Sequence, residues 1–98
     1  MAMTEPELPA VAQPTWTAYR AMGETKRRHF DLLRQLDDKY SQGGSPTLAE
    51  QARLATLLKA HDAQVETFKR RLAELRQRDP VAHGTLVQAL ANDAQGAP

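Results

Sequence analysis

The segment LATLLKAHDAQVETFKRRLAEL, running from Leu54 to Leu75, decides the fold. Its large apolar side chains fall at Leu54, Leu58, Val65, Phe68, Leu72 and Leu75, with His61 in the one remaining slot. The steps alternate between four and three, the period at which one side of an α-helix lies along a neighbouring helix. Ala55 and Leu57 widen the stripe, so the helix has apolar surface for more than one neighbour.

Upstream, a second stripe follows the same period: Trp16, Tyr19, Met22, His29, Phe30, Leu33, Leu36 and Tyr40, with Leu32 beside it. Thr15, directly after Pro14, is a good N-cap for this helix. Gly23 interrupts it at a cost of about 1 kcal/mol relative to Ala. On the wet side, Glu24–Arg28, Arg27–Asp31 and Arg34–Asp38 are four apart and support the helix. Gly43-Gly44 ends it, one of the two as a left-handed cap. The next helix begins in one of two registers: Ser45 caps with Pro46 at the first position, or Thr47 caps with Glu50 closing a capping box. A connection of about four to six residues returns the second helix antiparallel to the first.

Asp79-Pro80 stops the long second helix near Arg78, because a residue before proline is pushed out of the α region. The same pair starts a short third helix, whose apolar residues are Val81, Leu86, Val87 and Leu90. Proline-rich residues 1–14 and residues 92–98 read as flexible tails around a helical unit at 15–91. The expected fold class is all-α, a long antiparallel helical hairpin with a short third helix. Such a hairpin has a single seam and little interior, so the reading adds a homodimer in which two hairpins form a four-helix bundle. The alternative is a monomeric three-helix bundle.

Composition agrees with that class and narrows the function. Ninety-eight residues make one domain, and 41% hydrophobic with 26% charged residues is ordinary for a globular chain. Ile is absent, which favours helix over sheet. A net charge of +1 makes no case by itself for nucleic acid or membrane. The lack of Cys removes disulfides, thiolate metal sites and cysteine nucleophiles. Residues 1–14 hold no Lys or Arg and no apolar run, so they do not read as a targeting peptide, and no window is long enough to span a membrane. The expected location is the cytoplasm.

Three groups of residues are candidates for function. His29 and His61 fall at nearly the same level of the hairpin and suggest a metal site or a pH switch. The Glu-x-x-His pattern of a di-iron bundle is missing, since Lys26 precedes His29 by three and Leu58 precedes His61 by three. The plainer reading is a polar residue that fixes the register of the seam, and no metal or cofactor is expected. Trp16 covers the end of a core, over Leu72 or Val81, or else anchors a partner.

Basic residues are the third group, because they are unevenly spread. Residues 16–30 and 67–80 meet at the open end of the hairpin and hold nine basic and three acidic side chains, a balance of +6. Residues 31–66 carry four and six, a balance of −2. Arg27, Arg28, Lys69, Arg70 and Arg71 are the expected partner-facing residues. Phe30, Leu33, Leu58, His61, Val65, Phe68 and Leu72 are assigned to the core or the dimer seam.

Catalysis fails on inventory. Ser41 and Ser45 lie in the loop with no His placed beside them, and the one glycine pair lacks a phosphate-loop context. The function expected is therefore a small non-enzymatic protein–protein interaction module, an adaptor or regulator, homodimeric, with a basic end for an acidic partner. A nucleic-acid-associated regulator using the same bases is the alternative, without the motif that would mark one. A purely structural assembly component is the third.

Overall fold

A computed structural model gives the fold and describes residues 7–96. A 3₁₀ turn at Ala10–Ala12 leads into α1 (Gln13–Lys39), followed by α2 (Leu48–Arg78) and α3 (Pro80–Gly96). The described residues contain no strand, and the molecule measures 53 × 30 × 17 Å.

Local chemistry sets the helix ends. Pro14 lies in the first turn of α1, where a missing N–H costs nothing. After Lys39 the chain makes a turn, with Gly43 N–H donating to the Tyr40 carbonyl, and then passes through Gly43 and Gly44 at φ of 125° and 86°. Both glycines thus serve the loop past the helix end, in backbone regions that side chains rarely enter. Of the two possible starts for α2, the capping box is the one formed. Glu50 N–H donates to Thr47 Oγ1 at 3.1 Å, and Thr47 N–H donates to Glu50 Oε1 at 2.9 Å. At the other end Asp79 does two jobs. Its N–H closes α2 on the Leu75 carbonyl at 2.8 Å, and its carboxylate accepts from Ala82 N–H at 3.0 Å to cap α3.

α1 and α2 pack closely as an antiparallel pair. Thr15, Ala18, Leu32 and Leu36 of α1 are buried, with Met22, Thr25 and His29 partly covered between them. From α2 come Leu54, Leu57, His61, Gln64, Phe68 and Leu75. Two polar contacts give the register: Thr15 Oγ1 donates to the Arg71 carbonyl at 3.4 Å, and Thr25 Oγ1 meets His61 Nδ1 at 3.0 Å. From 15 to 25 the chain descends as far as it climbs from 61 to 71, so both contacts belong to one pairing.

α3 folds back over the open end. Ala12, Trp16, Leu75, Ala82 and Leu86 form the core there, and Leu8, Tyr19, Leu72, Ala89 and Leu90 pack against it. Leu86 is fully buried. Helical structure extends beyond the expected limits at both ends for the same reason. Leu8 and Ala12 have apolar surface to bury at this core, and Tyr19 Oη donates to Asp93 Oδ2 at 2.6 Å. Leu72, rather than Val81, belongs to the cluster around Trp16; Val81 is 81% exposed because it sits on the outer side of the first turn of α3.

Candidate interaction surfaces

The apolar stripe that α3 covers does not end where α3 ends. Phe30 and Leu33 each lie fourteen residues beyond Trp16 and Tyr19 on α1, and Leu58 lies fourteen before Leu72 on α2. Fourteen residues are about four helical turns, so these side chains continue the same rows toward the loop. Phe30 is 48% exposed, Leu33 36% and Leu58 44%. Val65 is half-buried between the two parts of the stripe. The seven residues assigned to the core or dimer seam therefore divide. His61 and Phe68 lie in the hairpin seam, Leu72 packs on the core under α3, and Phe30, Leu33 and Leu58 remain open. The position expected of Leu58 inside the hairpin is taken by Leu57, which is partly buried.

His61 is bound to Thr25, whose hydroxyl also lies 3.0 Å from the Met22 carbonyl. A neutral imidazole either donates to Oγ1 or accepts from it, and both arrangements satisfy a polar pair inside the seam. His29 stacks beside Phe30 with ring centroids 6.0 Å apart. Among the described residues no group of three His, Asp or Glu side chains converges as metal ligands would.

The basic residues are all exposed, and some of them line two hollows. Lys69 lines a groove of about 520 Å³ between α2 and α3 with Arg76, Gln77 and His83, over a floor of Leu72 and Ala73. Arg71 and Arg78 line a smaller hollow of about 250 Å³, with Glu74 and the N-terminal residues Val11, Pro14 and Thr15. Arg27 and Arg28 stand on α1, where Arg28 lies 3.8 Å from Glu24. Arg70 points to none of these hollows among their lining residues. Lys69 also lies 3.9 Å from Glu66, a pair too exposed to neutralise it firmly.

At the far end, Glu50 holds the loop. Its carboxylate accepts from Lys39 at 2.7 Å, from the Tyr40 hydroxyl and from Thr47 N–H. Those donors, Lys39 first, lower its pKa from 4.5 to about 2. Sequence reasoning found Glu50 as a capping residue but not as the anchor for Lys39 and Tyr40, because that contact depends on how the loop folds.

Among the described residues no helix is long and apolar enough to cross a membrane. Comparison with protein-family models, with curated proteins and with solved structures finds no match to this chain.

Proposed function

We propose that this chain is a non-enzymatic interaction module that works as a homodimer, two hairpins meeting through the open stripe, with the basic end left free for an acidic segment of a protein partner. The observation that carries this reading is the uncovered continuation of the stripe at Phe30, Leu33 and Leu58. Large apolar side chains in contiguous rows on a small protein mark a docking face, whereas single exposed ones need no explanation. A second hairpin is the natural occupant, since it would cover these rows as α3 covers the rest. Two helices, each about 10 Å wide, present roughly 500 Å² over the stretch between residues 23 and 40. Two copies would bury about 1,000 Å² in total, the lower end for a specific interface. The dimer is thus expected to be reversible, with the basic groove of Lys69, Arg76 and His83 outside it.

Capture on an immobilised copy tests the reading. The untagged chain should be retained by a tagged copy, and Leu58→Asp should lose retention while keeping the same helix content by circular dichroism. Equal retention of Leu58→Asp would contradict the assigned face. For the basic end, a poly-glutamate peptide should bind at low salt, and Lys69→Glu with Arg76→Glu should abolish it. Binding that is indifferent to those changes would remove the basic groove from the account.

A further inference from the structure

The open face of α1 reads the same in both directions. From Lys26 to Asp37 its outward row is Lys26, Phe30, Leu33 and Asp37, in steps of four, three and four. Inverted about the midpoint between Phe30 and Leu33, the row places Phe30 on Leu33 and Lys26 on Asp37. We infer that two copies associate about a two-fold axis at that midpoint, with α1 antiparallel to α1 of the partner and Lys26 of each copy paired with Asp37 of the other. This rests on the homodimer reading above and specifies its register.

Two features support it. An antiparallel helix pair aligns alternating three–four positions in this crossed fashion, and a two-fold interface must be self-complementary. Lys26 and Asp37 make no ion pair among the described residues; the Lys26 ammonium only rests 5.9 Å from the Phe30 ring. Each is available to an opposite charge.

Charge exchange tests the register. Lys26→Asp alone would face acid with acid twice across the axis, and Asp37→Lys alone would face base with base twice. Each variant should therefore dimerise at least about tenfold more weakly than the wild type at low salt. Mixed together, the two variants restore both opposite-charge pairs and should form a heterodimer. Arg34→Asp, on the outer side of α1 where Arg34 lies 4.0 Å from Asp31, should self-associate like the wild type. Sedimentation velocity of each chain alone and of the mixture reads all of these. If the wild type dimerises and the two single variants do so equally well, or the mixture fails to associate, the register is overturned while the homodimer stands. A wild type that stays monomeric overturns both.

Discussion

Glu50 shows how much one side chain can organise at a loop. Three donors hold its carboxylate ionised down to about pH 2, whereas the unfolded chain takes up the proton near 4.5. A lowered folded pKa contributes stability that is complete above 4.5 and is lost as the pH falls from there toward 2. Thermal melts across that window should show a steeper fall for the wild type than for Glu50→Gln; parallel curves would remove Glu50 as an anchor. Tyr19 has the opposite sign. Its hydrogen bond to Asp93 raises its pKa from 10.0 to about 12, so its contribution is complete below 10 and fades as the pH climbs toward 12. Tyr19→Phe should abolish that alkaline slope. At Gly23 the sequence shows an unfavourable helix residue, and the open space around it turns this into a prediction. Gly23→Ala should stabilise the dilute monomer by about 1 kcal/mol, seen as a melting point higher by roughly 4–8 °C. No gain would mean that the helix is already frayed or bent there.

At the level of helices, the boundary chemistry of α2 and α3 was legible and the seam only in part. Asp79-Pro80 appears as read, and the Thr47–Glu50 box is the one formed of the two starts left open for α2, whereas Thr15, expected as the N-cap of α1, lies inside a helix that begins at Gln13. The seam between α1 and α2 carries Thr15, Thr25, His29, His61 and Gln64 among its members, so apolar periodicity reaches only part of it, at Leu54, Phe68 and Leu75. The strongest apolar row on α2, through Leu58, Val65 and Leu72, lies one residue further round the helix. That row serves the face occupied by α3 near the open end and left uncovered near the loop. Two stripes side by side cannot be assigned to their neighbours from periodicity alone, because a shift of one residue turns the helix by only about 100°. The place of α3 yields its own prediction. Leu86→Ala should cost about 2–5 kcal/mol and shift Trp16 emission to the red, since both residues share the buried cluster. Val81→Ala, on the exposed side of the same helix, should change stability by less than about 0.5 kcal/mol. Equal losses would mean that α3 docks by another face.

Over the whole molecule, the end covered by α3 carries most of the basic residues, and toward the loop an apolar row on α1 and α2 is left uncovered. The charge asymmetry follows from adding residues along the hairpin, which the sequence permits once the helices are known to be antiparallel. Its division into separate hollows does not follow, because Lys69-Arg70-Arg71 wraps round α2, and it takes α3 on one side and the N-terminal residues on the other to set Lys69 and Arg71 in different hollows. Likewise the thinness of a two-helix hairpin was apparent from the stripes, but the part left uncovered depended on how far α3 reached. If this uncovered part joins two copies of the chain, sedimentation equilibrium of the wild type, from low micromolar into the hundreds of micromolar, should give a mass that rises with concentration from 10.9 kDa toward twice that value. A mass fixed at 10.9 kDa over the whole range would contradict it.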